Sequence, residues 1–164
     1  MFQTQAYEGS QEAQYTLLLS QLEALIHDEP SRIANLANAA ALLGQFLNNI
    51  NWVGFYLLDA QDELVLGPFQ GLPACTRIPV GKGVCGSAVQ QARTLRVDDV
   101  HQFPGHIACD AASRSELVIP LVQDGTIVGV LDIDSPIEAS FDAVDQTYLE
   151  QYCQVLMKHA SSWR

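Results

Sequence analysis

The fold turns on ELVIPLVQDGTIVGVLDI, residues 116–133. Two runs dense in Val, Ile and Leu, Glu116 to Val122 and Thr126 to Ile133, flank the polar turn Gln123-Asp124-Gly125. Runs of this length on either side of an Asp-Gly turn read as the antiparallel strands of a β-hairpin. Upstream, Trp52 to Leu58 is rich in aromatic and β-branched residues, Asp59 to Glu63 is a polar turn and Leu64 to Phe69 is a further strand, which predicts another hairpin. Outside the hairpins the apolar period lengthens to three or four. Tyr15, Leu18, Leu22 and Leu25 place one stripe on a helix over Gln11 to His27. Pro30 suits the first turn of a second helix, whose stripe runs Ile33, Leu36, Ala40, Leu43, Leu47 and Ile50. Phe141 to His159 is a closing helix with Phe141, Val144, Tyr148, Leu149, Tyr152, Val155 and Leu156 on one side. No repeat, low-complexity tract or linker interrupts this order. It predicts one α+β domain over 1–164, with helices packed on an antiparallel sheet: N-terminal helices in 1–50, and the sheet, loops and last helix in 51–164.

The chain of 164 residues is 48% hydrophobic and 16% charged, enough apolar side chain to form a core without a metal or a disulfide. Nineteen acidic against eight basic side chains leave a net charge of −11. A field of that sign repels phosphate backbones and anionic lipid, so neither nucleic acid nor a membrane is an expected partner. Met1 to Ser10 lacks the pattern of a signal peptide and no apolar run reaches the length of a membrane span, so a cytoplasmic protein is expected. In a reducing compartment the four cysteines are thiols for packing, metal binding or catalysis.

Three of them, Cys75, Cys85 and Cys109, fall in a segment, Gln70 to Ser115, whose many Pro and Gly residues predict short strands, one short helix from Gly86 to Arg93, and loops of the kind that carry function. Cys153 belongs to the packing stripe of the last helix. A reactive cysteine must be a thiolate, favoured by nearby cations or a helix amino terminus. Five of the eight basic residues, Arg77, Lys82, Arg93, Arg96 and Arg114, share the segment with the three cysteines, although cations on loops are often simply solvated. Cys85 sits in GVCGSAV, just ahead of the expected helix, where a small buried hydrophobe is the competing role. Cys109 lies in GHIACDAASRSE, residues 105–116, a polar stretch without an apolar period, where packing is a less natural role.

Asp132 and Asp134, in VLDIDSP, are two apart on a strand and share a face that does not hold Ile133. Two like charges on one face of an apolar strand repel unless a cation or a proton lies between them. That marks a pocket for an ammonium group or for a proton to be donated, with Glu116 on the neighbouring strand in reach, against the plainer alternative of a strand with one wet face. A zinc site built from His106, Cys109, Cys75 and Cys85 competes. The cysteine spacings of ten and twenty-four residues contain no close pair, however, and no metal is expected. Ser113 and Ser115 with His101 or His106 would make a hydrolase, but no G-x-S-x-G elbow is present.

Five ordered motifs, NWVGFYL (51–57), GPFQGLPAC (67–75), GVCG (83–86), FPGHIACDAASRSE (103–116) and VLDIDSP (130–136), together resemble the free methionine-(R)-sulfoxide reductases, enzymes of the GAF fold. The match covers roughly residues 50 to 160. The resemblance implies that Cys109 is the nucleophile. Attack of its thiolate on a sulfoxide sulfur requires the departing oxygen to be protonated and leaves a sulfenic acid, so an acid must stand close by. Glu116, Asp132 and Asp134 are the candidates, the carboxylates not used as the acid binding the substrate ammonium. A second thiol, Cys75 or Cys85, then condenses with the sulfenic acid to a disulfide that an external dithiol such as thioredoxin reduces. Of these two, the loop position of Cys75 makes it the better first partner.

Recognition of free methionine sulfoxide calls for a closed pocket that reads both the amine and the carboxylate. Trp52 and Tyr56, four apart and so on one face of a strand, are candidates to wall its methyl and sulfur end, and backbone N–H groups of the Gly105 to Ala111 loop are candidates for the carboxylate. No cofactor beyond the external dithiol is implied, and a homodimer is compatible with this reading. The alternative is a non-catalytic GAF ligand or redox sensor. A sensor is normally joined to an output domain, which is not expected here, and has no need of three cysteines in the loops around its pocket.

Overall fold

A computed structural model describes residues 6–107 and 109–163. Helices α1 (Gln11–Ile26) and α2 (Arg32–Phe46) precede strands β1 (Trp52–Leu58), β2 (Glu63–Gly71) and β3 (Arg77–Pro79). Helix α3 (Gly83–Gln91), strands β4 (Leu95–Val97), β5 (Ser115–Gln123) and β6 (Thr126–Ser135), and helix α4 (Ala143–Lys158) follow. The six strands form one antiparallel sheet in the order β3-β2-β1-β6-β5-β4. Both expected hairpins are present, β1–β2 and β5–β6. The chain is thus α+β, with helices on an antiparallel sheet.

The period of two along the strands separates the faces. Val53, Phe55, Leu117, Ile119, Leu121, Leu131 and Ile133 point into a core shared with α1, α2 and α4, where Cys153 is also buried. Trp52, Tyr56, Val118 and Val130 point to the opposite face, against α3 and the loops. Register makes this second face a functional surface: Trp52 lies beside Asp134, and Asp134 beside Glu116, in one row across β1, β6 and β5. Asp132 stands in the next row, between Gly54 and Val118.

Several boundaries differ from the sequence reading. The second helix starts after Pro30, because Ser31 is its N-cap, with Oγ accepting the Ala34 N–H at 3.2 Å. It ends at Phe46, Leu47 being already extended, so Ile50 is outside it. Its buried face runs through Leu36, Ala39, Ala40 and Leu43, whereas Ile33 is 70% exposed, since Asn35 fills the buried position nearby and bonds the Glu29 carbonyl at 2.7 Å. In α1 the last buried position is Ile26, with Leu25 only partly covered. The closing helix begins at Ala143 behind a capping box of Asp142 and Asp145, leaving Phe141 buried but non-helical. Helix α3 begins three residues earlier than expected, at Gly83, which makes Cys85 the third residue of the helix.

Candidate active site

Helix α3 lies close on the turn before it because Gly86 has no side chain. A Cβ there would stand 2.3 Å from the Pro79 carbonyl oxygen, and the Gly86 carbonyl accepts the Gly81 N–H at 2.8 Å. This contact fixes the amino end of α3, and with it Cys85, over β5 and β6. Between α3, the sheet and the loops following β2 and η1 (Val100–Gln102) is a narrow cavity. Cys85, Cys109, Glu116, Asp132, Asp134, Trp52 and Tyr56 line it, and Cys75 adjoins it through its bond to Cys109, so the candidate residues of the reductase reading converge on one place.

Cys75 and Cys109 form a disulfide across the mouth, with Cα atoms 5.5 Å apart. The two loops that carry them are tied to β1. Tyr56 Oη donates to the Cys75 carbonyl at 2.9 Å, and Trp52 Nε1 donates to the Leu72 carbonyl at 3.2 Å. Asn51 Nδ2 donates to Asp110 Oδ2 at 2.9 Å and to Ser113 Oγ at 3.1 Å, pinning the Cys109 loop. The indole of Trp52 stacks between Tyr56 and Phe69, with ring centroids 5.8 and 5.3 Å away, so the cavity has a rigid aromatic wall.

The floor is acidic and dry. Cys85, Glu116 and Asp132 are 3%, 6% and 6% exposed. Burial first, then the negative neighbours Asp132 and Asp134, lifts the Glu116 carboxyl well above its ordinary range. Burial pushes Asp132 up to about 6, moderated by hydrogen bonds from Cys85, Glu116 and the Ile133 N–H. Asp134 is raised by burial and by its acidic neighbours Asp132 and Asp110. Groups this close titrate together, and burial with mutual repulsion favours a proton shared within the cluster. Burial and the same acids also push up the Cys85 thiol, whose Sγ is 3.9 Å from Glu116 Oε1, so Cys85 is held as a neutral thiol.

None of the five basic residues of the middle segment lines this cavity. Arg77, on edge strand β3, reaches Asp59 and Glu63 at 3.0 and 2.9 Å, and Arg114 pairs with Glu138. Proximity in sequence is not proximity in space here, because a strand edge and a loop exit turn these side chains outward. Of the competing zinc ligands, Cys75 and Cys109 are bonded to each other in this structure, and Ser115 Oγ donates to the Ile137 carbonyl at 2.6 Å. Two of the amides suggested for a substrate carboxylate are already used: those of His106 and Cys109 donate to the carbonyls of Phe103 and Ile107. Asn51 and Asp110 were missed in the sequence, although both stand inside quoted motifs. In contrast, Asp132 Oδ1 and His106 Nδ1 are buried without a hydrogen-bond partner among the described residues, and both residues line the cavity. Orphaned polar atoms facing one cavity are the mark of a ligand site.

Residues 31–156 match the GAF domain family. The free methionine-R-sulfoxide reductase of Escherichia coli is 54% identical over 88% of this chain and 87% of its own length. Among solved structures, the fRMsr of Staphylococcus aureus in its reduced form is 58% identical, with a TM-score of 0.86 over 88% of this chain and 94% of that one. The free methionine-R-sulfoxide reductase of Neisseria meningitidis in complex with its substrate superimposes with a TM-score of 0.92 at 47% identity, covering 97% of this chain and 96% of that one. The cysteine pair over a buried acid cluster and these likenesses agree: the chain belongs to the GAF domain family and, within it, to the free methionine-R-sulfoxide reductases.

Proposed function

We propose that this protein reduces free L-methionine-(R)-sulfoxide to L-methionine through a cysteine sulfenic acid and an intramolecular disulfide. The observation that carries this reading is the Cys75–Cys109 bond lying across a cavity floored by Glu116, Asp132 and Asp134. Cys109 is the nucleophile. Its sulfur attacks the sulfoxide sulfur while the acid cluster protonates the sulfoxide oxygen; the products are a thioether, methionine, and Cys109 sulfenic acid. The Cys75 thiol then attacks the sulfenic sulfur, releasing water and closing the disulfide, and an external dithiol restores both thiols while becoming oxidised itself. Cys85 is the second candidate for resolving thiol.

The carboxylates left ionised bind the substrate ammonium, and Trp52 and Tyr56 wall its methyl and sulfur end. A peptide bond on either side of the residue would replace the ammonium or the carboxylate, which excludes protein-bound methionine sulfoxide. The reading carries with it a thioredoxin-type dithiol as reductant, a cytoplasmic setting, a role against oxidative stress, assembly as a homodimer, and a single GAF domain over 1–164. No helix of the described residues is long and apolar enough to cross a membrane.

The test is incubation with the separated sulfoxide epimers of free methionine and a dithiol, following methionine formation. Reduction of the R epimer, with the S epimer and peptide-bound sulfoxide nearly untouched, is expected. Ligand binding without turnover would replace the reductase with a sensor, and equal rates on free and peptide-bound substrate would overturn the closed pocket.

A further inference from the structure

We propose that the reduced protein binds one thiophilic divalent cation, of the Zn²⁺ and Cd²⁺ class, on Cys85, Glu116 and Asp132. One ligand atom from each of the three lies within 4.8 Å of the other two. All three project from regular structure: Cys85 from the first turn of α3, Glu116 from the start of β5 and Asp132 from the interior of β6. A tetrahedral cation at thiolate and carboxylate bond lengths spaces its ligands about 3.3–3.8 Å apart. Cys85 Sγ and Glu116 Oε1 stand at 3.9 Å, near that spacing, and each remaining pair has ligand atoms within 4.8 Å.

A second observation points to a ligand. Asp132 is 6% exposed and its Oδ1 is buried without a hydrogen-bond partner among the described residues. An anionic oxygen in a dry site is costly unless a donor or a cation meets it. Among the described residues no Lys or Arg lines the cavity, so none of them supplies a counter-charge to the acidic floor. Binding displaces the Cys85 proton and the proton of the acid cluster to solvent, and the resulting thiolate with two carboxylates is a mixed soft and hard donor set that suits Zn²⁺ and Cd²⁺ better than Mg²⁺ or Ca²⁺. It leaves a fourth position open toward the cavity, where water binds. The cation would occupy the ground assigned above to the substrate ammonium, so methionine sulfoxide should compete with it; that consequence alone rests on the proposed function.

The experiment is titration with Cd²⁺ of the Cys75→Ser/Cys109→Ser double variant, which keeps Cys85 and Cys153 as its only thiols. The ultraviolet charge-transfer band of a Cd–thiolate bond and native mass spectrometry are the readouts. One Cd²⁺ per chain is expected, with the band lost on adding Cys85→Ser, retained on adding Cys153→Ser, and the affinity reduced tenfold or more by Glu116→Gln. Should Cys85→Ser fail to fold, as judged by circular dichroism, the Glu116→Gln shift decides. No band, a band that survives Cys85→Ser, or an affinity indifferent to Glu116→Gln would overturn the site. Binding that free methionine sulfoxide does not weaken would leave the cation site standing and overturn the placement of the substrate.

Discussion

The Sγ of Cys85 stands 3.9 Å from Oε1 of Glu116 on the cavity floor, whereas Cys75 and Cys109 are bonded to each other at its mouth. The thiols are therefore divided by environment, and Cys153 is removed from all three in the helix-side core. Cys109→Ser should abolish turnover. Cys75→Ser should still release about one methionine per chain in a burst and then slow sharply, because the sulfenic acid loses its nearest thiol. Cys153→Ser should retain full activity. Rapid-quench measurement of methionine checks all three, and full activity in the Cys109 variant would remove the nucleophile.

The order of disulfide formation follows from the same geometry. Cys75 is in a loop, while Cys85 is anchored in α3 by the approach of Gly86 to Pro79 and is kept neutral by the acids around it. Peptide mapping after a single turnover should find Cys75–Cys109 as the first link. A dominant Cys85–Cys109 link at the earliest times would reverse the order of the two resolving thiols.

Tyr56 positions rather than reacts. Its hydroxyl holds the Cys75 carbonyl at 2.9 Å, and losing one such hydrogen bond costs about 1 kcal/mol. Tyr56→Phe keeps the ring that walls the cavity but frees the loop. The methionine burst should persist, while disulfide closure, read by thiol labelling over time, slows about fivefold. An unchanged closure rate would show that the loop is held by other contacts.

Much of this site was legible because strand periodicity is strict. Asp132 and Asp134 could be placed on one face, with Ile133 opposite, from the sequence alone, and the register then put Trp52 and Glu116 on either side of Asp134. The period also separated Trp52 and Tyr56 from Phe55. Helix limits were less legible, since caps compete with periodicity: Ser31 and the Asp142–Asp145 box end stripes that the apolar pattern would extend. Least legible was what depends on long-range closure. Asn51 opens the motif NWVGFYL with no role assigned to it, yet just ahead of β1 it holds the Cys109 loop, and no spacing rule could show that the arginines would turn away from the thiols.

The acid cluster also predicts how stability should change with pH. Asp132 has its carboxyl raised by burial from an ordinary 3.8 to about 6 in the folded chain. Between those values the unfolded chain has released this proton and the folded chain has not. Folding thus binds a proton, and stability must fall as pH rises through the window. Below pH ~4 both states are protonated and the penalty vanishes. Above pH ~6 it is fully present, and the raised carboxyls of Glu116 and Asp134 extend the decline further. Asp132→Asn removes a charge from this dry floor while keeping its shape. At pH 8 the variant should be more stable than the parent by about 1–3 kcal/mol, a rise in Tm of several degrees, and at pH 4 the gain should disappear. On the proposed mechanism, in which the acid cluster supplies the proton, its reductase activity should fall at both ends. Calorimetric melts of both proteins in the oxidised state, across this pH range, make the check: a variant less stable at every pH would show that Asp132 is held by favourable contacts and not against a burial cost.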